Sequence, residues 1–377
     1  MPRILPVGPE QARDLAGVAQ QILRSLTGED SWFTPVRSAV IFLVDGLGAI
    51  QLRAHASHAR HLVQAMPKKH TARSVAPSTT AAALTSLLTG TAPGAHGIVG
   101  YSLLDPARGI VTNQLSGYEK QGLDPETWQL AETVFGRAVA RGIRAYSVGH
   151  SEYRSTGFTR AAQRGSEFVA ENDLEERVRV ACALASQAEG TLVYCYIPEL
   201  DKAGHKNGVD SDRWRATLER IDSALRPALS LPAGVGAIVT ADHGMVDVPT
   251  TRHILLGEGD PRLDGVRLIG GEPRFLHLYL DDGVDADRVA DVWRESNGKA
   301  ADVSTRAEAI EDGLFGPDVA PEALGRLGDV MVAARGLWAF YDDRVSDKRA
   351  QTMIGQHGAL TPEETTVPLI RLGAYAA

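Results

Sequence analysis

The chain has 377 residues, 44% of them hydrophobic and 23% charged, enough to bury one large α/β core with an insertion or two smaller domains. Its formal net charge of -8 argues against a nucleic-acid polymer or an anionic membrane as principal partner, although bound metal ions can still draw phosphate to an acidic protein. The two cysteines, Cys182 and Cys195, each sit in an apolar run, which excludes a disulfide framework and reads as buried free thiols.

Residues 1–7 lack a basic stretch leading into a long apolar one, and no run approaches about 18 apolar residues, so a soluble cytoplasmic chain is expected. Residues 10–26 have helical spacing, with Leu15, Val18, Ile22 and Leu23 on one side. Residues 39–44 form a continuous apolar run of strand length, read as a strand buried on both faces. It ends abruptly in Asp45-Gly-Leu-Gly48, and a helix is expected to about Met66. His55, His58 and His61 recur at i, i+3, i+6 on that helix; with no carboxylate or cysteine beside them they read as a solvated face. Pro77 precedes Ser78, Thr79, Thr80 and a run carrying Leu84, Leu87 and Leu88 at helical spacing. That pattern predicts a helix capped by Ser78 or Thr79, with Thr80 in the first turn, where open N–H groups favour a phosphate. A threonine hydroxyl there becomes a nucleophile only if something lowers its pKa.

Downstream, the pattern predicts two short strands within 96–112, a helix over 126–141, a strand over 144–148 and a helix over 174–188. A second buried strand spans 191–197, a helix 210–229 and a third buried strand 236–240. Residues 250–345 break the rhythm: 275–280 alternate like a half-exposed strand, 284–296 read as a helix and 329–333 as a strand. This is expected to be a smaller α+β insertion leaning over the catalytic face of a single domain, residues 1–377. A last strand spans 367–372. Alternating strands and helices imply an α/β fold with a mostly parallel central sheet and helices on both faces, whose ligands sit at the carboxyl ends of the strands.

Three central strands end in metal-ligating residues: Asp45, Asp201 with His205, and Asp242 with His243. Asp201 and His205 are four apart and share a face if a helical turn follows their strand. One more histidine would complete a three-ligand site with an open position. Asp242 and His243 can reach a single ion from their turn, with Asp45 approaching from a neighbouring strand. Two such ions clamp a phosphoryl group and favour ionisation of a nearby hydroxyl, which is what Thr80 lacked.

These pieces resemble the alkaline phosphatase superfamily, specifically the type I phosphodiesterase/nucleotide pyrophosphatase family. The matching stretches are Val44-Asp45-Gly46, Pro77 to Thr80 running on to Leu88-Thr-Gly90, and Pro93 to Gly100 with His96. Glu199-Leu-Asp201 with Gly204-His205 and Gly208, Thr240 to Met245, and His357-Gly358 follow in the family's order. The resemblance implies that Asp201, His205 and His357 hold one zinc, and that Asp45, Asp242, His243 and the Thr80 hydroxyl hold the other, other divalent metals being possible. It implies hydrolysis of a phosphodiester or pyrophosphate bond in a small phosphate ester through a covalent phospho-threonine at Thr80. The family's phosphodiesterases carry an aromatic residue directly after the nucleophile and an Asn three positions after it; here these are Ala81 and Ala83. Phosphate binding then falls to the helix amides at Thr80 or Ala81. Rival readings are a phosphomonoesterase or phosphonate hydrolase with the same metals, and a catalytically silent metal-binding scaffold. A monomer or homodimer is expected.

Overall fold

The computed structural model describes residues 13–67, 69–187 and 190–376. The N-terminal seven residues and residues 10–12 of the first expected helix lie outside this range; the described helix is Leu15–Leu26, capped by Asp14 and burying Leu15, Val18, Ile22 and Leu23.

The main sheet has seven strands. In space they run Thr71–Arg73, Thr366–Gly373, Val235–Thr240, Ser38–Val44, Thr191–Ile197, Arg144–Gly149 and Glu167–Ala170. From Val235–Thr240 to Glu167–Ala170 all neighbours are parallel, and Thr366–Gly373 and Thr71–Arg73 join antiparallel at one edge. Every residue of Ser38–Val44 is buried, as a strand covered on both faces requires. Val44 pairs with Ile197 and Leu43 with Thr240, so three adjacent strands end at one level. Helices Leu15–Leu26, Thr80–Thr89, Leu174–Gln187 and Asp212–Ala224 pack around this core. Among the described residues no helix is long and apolar enough to cross a membrane.

A second, antiparallel sheet runs Val266–Glu272, Phe275–Leu280, Val330–Ala334, Ala301–Thr305. The alternating pattern of residues 275–280 promised one exposed face, yet all six residues are buried. One face packs Leu276, Leu278 and Leu280 against Val289 and Trp293 of helix Ala286–Asn297; the other packs Phe275 with Leu103, Leu314 and Phe315. The sheet is tied to the C-terminal segment by Arg274, whose Nε and Nη2 donate to both oxygens of Glu364 at 2.6 and 2.7 Å with neither side chain exposed.

Three other expectations change. The helix expected to about Met66 is broken into Ala49–Ala54, a single turn Ala56–His58 and Arg60–Gln64. The break is stabilised from outside, because Asp222 accepts the amides of His61 and Leu62 at the start of the last piece. The three histidines do have carboxylate partners: His55 faces Asp210, His58 faces Glu219 and His61 faces Asp222, all from the segment around helix Asp212–Ala224. Of the helix expected over 126–141, only Val134–Val139 forms, started by the Thr133 hydroxyl accepting the Gly136 amide.

Removing one member of a buried ion pair strands the other. Arg274→Ala is therefore expected to cost about 3–5 kcal/mol in urea unfolding. The exposed Arg220–Glu175 pair provides the control: Arg220→Ala should cost less than about 1 kcal/mol.

Candidate metal centre

The expected residues converge at the carboxyl ends of the three level strands. Asp45 follows Ser38–Val44, Asp242 and His243 follow Val235–Thr240, and Asp201 and His205 lie on helix Glu199–Asn207 after Thr191–Ile197. His357 follows the short strand Gly355–Gln356, which pairs with Val246–Asp247. Gly46 permits the closeness: its φ is +76° and a Cβ there would lie 3.2 Å from the Asp201 Cα.

Ligand atoms of Asp201, His205 and His357 all lie within 4.8 Å of one another, and so do those of Asp45, Asp201 and His243. Asp201 therefore borders both groups, where the sequence reading gave it to one. Asp242 joins the second group through its Oδ2, 3.3 Å from His243 Nε2.

The three histidines share one tautomer. Nδ1 of His205 donates to the Gly355 carbonyl at 2.8 Å, that of His243 to Gly244 at 3.0 Å and that of His357 to Ser78 at 3.0 Å. A carbonyl can only accept, so each Nδ1 carries the proton and each Nε2 lone pair is left for a cation, the usual arrangement of a metal-binding histidine. The carboxylates match. Asp242 Oδ1 accepts the amides of Gly46 and His243, and Asp45 Oδ2 accepts the Tyr196 hydroxyl. The other oxygens, Asp45 Oδ1, Asp242 Oδ2 and Asp201 Oδ1, are buried without a partner. Three orphaned acid oxygens facing three imidazole lone pairs fit divalent cations.

Burial, reinforced by Asp242 and Asp201, pushes the Asp45 carboxyl well above its ordinary range, and burial likewise raises Asp242. Burial, with His243 and His205 nearby, holds His357 well below the usual imidazole value. These are the shifts expected of ligands that share a dry site without their cation.

Thr80 opens helix Thr80–Thr89, buried along its whole length, and its Oγ1 lies 3.1 Å from His243 Nε2. The expected side-chain cap is absent. Thr79 takes the N-cap position in extended conformation without capping, and Ser78 instead donates to the Ala359 carbonyl and accepts the Gly358 amide. The first-turn amides, Ala81 among them, thus carry no side-chain cap. Sequence reasoning missed Tyr196, whose hydroxyl reaches Asp45; its alternation with Tyr194 along a central strand was the available signal.

Asp45 and Thr80 also open onto a cavity of about 270 Å³. Its walls include Leu84, Leu115, Val148, Phe158, Phe168 and Tyr196, with Tyr153 and Lys202 also lining it. Tyr101, 37% exposed, is not part of this lining, and neither are Arg154 and Lys206.

A raised carboxyl pKa means that folding binds a proton between the unfolded value near ~3.9 and the folded one, so stability falls as pH rises through that window. Metal-free Asp45→Asn protein should therefore melt above metal-free wild type at about pH 8, with the advantage shrinking toward about pH 4. The depressed His357 acts in the opposite sense below about pH 6.5 but is common to both proteins and cancels. Thermal scans in chelator across this range test the difference.

The profile of the type I phosphodiesterase/nucleotide pyrophosphatase family matches residues 39–360. An uncharacterized pyrophosphatase/phosphodiesterase of Schizosaccharomyces pombe is 24% identical over 181 residues, a stretch spanning 45% of this chain and only 37% of that relative. Murine ectonucleotide pyrophosphatase/phosphodiesterase 5 superposes with a TM-score of 0.67 at 19% identity, covering 89% of this chain and 88% of that one. Phosphonoacetate hydrolase from Sinorhizobium meliloti, solved with phosphonoformate, gives 0.68 at 20% identity, covering 90% and 91%. These solved structures share the fold, and the profile spans the core and every expected ligand position from Asp45 to His357: the chain belongs to the type I phosphodiesterase/nucleotide pyrophosphatase family of the alkaline phosphatase superfamily.

Proposed function

We propose that the chain is a two-metal hydrolase of small phosphodiesters or pyrophosphates in which Thr80 is the nucleophile. The observation that carries this reading is the Thr80 hydroxyl set against His243 beside three carboxylate oxygens that lack any partner. Asp45, Asp242, His243 and Thr80 would hold one ion; Asp201, His205 and His357 would hold the other, with Asp201 standing between them. When bound, divalent ions, zinc in this reading, supply charge that polarises the phosphoryl group and favours ionised oxygens.

The chain's own groups then have distinct tasks. Thr80 Oγ1 gives up its proton and attacks phosphorus; the bond from Oγ1 to phosphorus forms as the bond from phosphorus to the leaving oxygen breaks, and that oxygen takes up a proton. Water then displaces Oγ1 from the same phosphorus, releasing the phosphate monoester that keeps the second ester group and returning a proton to the Thr80 hydroxyl. The uncapped first-turn amides at Thr80 and Ala81 suit a phosphoryl oxygen during both steps. Tyr196 keeps one Asp45 oxygen occupied, so that only the other is presented to a cation.

The cavity beside Thr80 suits the organic part of the substrate. Its walls are chiefly apolar, yet Gln163 Oε1 and the Tyr194 hydroxyl reach it buried and unpartnered. A compact organic group bearing a hydrogen-bond donor fits that lining. A second reading, a phosphonate hydrolase, is favoured by Lys202, a cation on the cavity wall able to meet a carboxylate.

Hydrolysis of bis-p-nitrophenyl phosphate, p-nitrophenyl phosphate and phosphonoacetate by zinc-loaded and chelator-treated protein tests these readings. Metal-dependent turnover favouring the diester is expected. A preference for phosphonoacetate would select the second reading, and no turnover on any of the three would favour a silent scaffold. Thr80→Ala should lower turnover by at least about 10³-fold with the metal content unchanged. Activity within a few-fold of wild type would remove Thr80 from the mechanism. Gln163→Leu should raise KM for donor-bearing substrates and leave that for bis-p-nitrophenyl phosphate unaltered.

A further inference from the structure

We infer that Glu272, on the smaller sheet, is a positioning residue that sets the affinity of the ion held by Asp201, His205 and His357. This rests on the two-metal reading above. Glu272 ends strand Val266–Glu272 at the turn into Phe275–Leu280, outside every ligand position considered so far. Its side chain is 7% exposed, and its Oε2 lies 3.9 Å from His357 Nδ1. That nitrogen already donates to Ser78, so Glu272 stands against the ring edge without hydrogen-bonding to it. Its carboxyl is buried beside the Thr79 hydroxyl, itself buried, which is the neutral donor set against it.

Space for this carboxyl has been left on purpose by the backbone. Gly358 has a φ of +124°, and a Cβ there would lie 2.6 Å from the Glu272 Cδ. The charged groups facing Glu272 are Glu364, Arg274 and Asp201. Two are acids, and Arg274 is spent on Glu364. Among the described residues no protein cation is left to balance a carboxylate here, and an unbalanced buried charge is costly. The position across the imidazole can balance it: His357 Nε2 faces Asp201 Oδ1 at 3.9 Å, and a cation there would polarise the ring toward Glu272.

The test is zinc titration of metal-free protein against a chromophoric chelator, with cobalt(II) absorption spectra as a second readout. Wild type should take up two ions. Glu272→Gln keeps the shape and removes the charge; one of its two ions should bind about 10–100-fold more weakly while the other is unchanged. Glu272→Asp should recover part of the loss. Metal-free Glu272→Gln should melt at or above metal-free wild type, which a purely structural residue would not do. Two ions bound by Glu272→Gln with wild-type affinity, or a metal-free variant melting well below wild type, would overturn the assignment while leaving the two-metal reading intact. Wild type binding fewer than two ions would overturn both.

Discussion

The constraint on which the rest of the molecule depends is electrostatic. Three carboxylates are held at the carboxyl end of one sheet, each with an oxygen that no described residue satisfies. Burial resists their ionisation and mutual repulsion adds to it, which is why Asp45 and Asp242 are pushed upward. Backbone amides fix the other oxygen of Asp242 and a tyrosine that of Asp45, so these two acids are held from turning away to other partners. An arrangement that raises the free energy of the empty fold and is nonetheless held rigid makes sense as a receptor for positive charge.

The sheet explains how such an arrangement is reached. Parallel pairing puts the ends of three adjacent strands at one level, and the chain turns there at glycines because nothing larger fits. A Cβ on Gly244 would meet the Glu363 carbonyl at 2.0 Å and the Gly48 Cα at 2.9 Å. The turn after Val235–Thr240 is thereby pressed between the turn after Ser38–Val44 and the C-terminal segment. Gln51 adds to this seam by donating to the carbonyls of Met245 and Glu363.

Much of this was legible from the residues. Apolar runs that stop at an acid or a histidine mark strand ends in a parallel sheet, and hence the site; the helix opening at Thr80 followed from its flanking residues. What was illegible came from partners far along the chain. Asp222 breaks the helix after Asp45 from more than 150 residues away, and the histidines of that segment find acids on or just before the same distant helix. The alternation of residues 275–280 suggested water on one side because a single-strand pattern cannot announce a second core such as Leu103 with Phe315. Ser78 has the composition of a helix cap, but a contact with Gly358, 280 residues on, outcompetes that local role.

That last contact links the two sheets to the chemistry. The Ser78–Gly358 bridge places the segment before Thr80 directly against His357, so the expected nucleophile and one expected ligand move as a unit. The smaller sheet touches this unit at the turn that carries Glu272 and Arg274, and also by packing against Ala76 and Ala359. The arginine is neutralised by Glu364, whose Oε1 also accepts the Ala359 amide two residues beyond His357. One charge of the turn therefore fixes the backbone around His357, and the other is left facing its ring. Docking of the smaller sheet and the candidate metal centre thus bear on the same few residues.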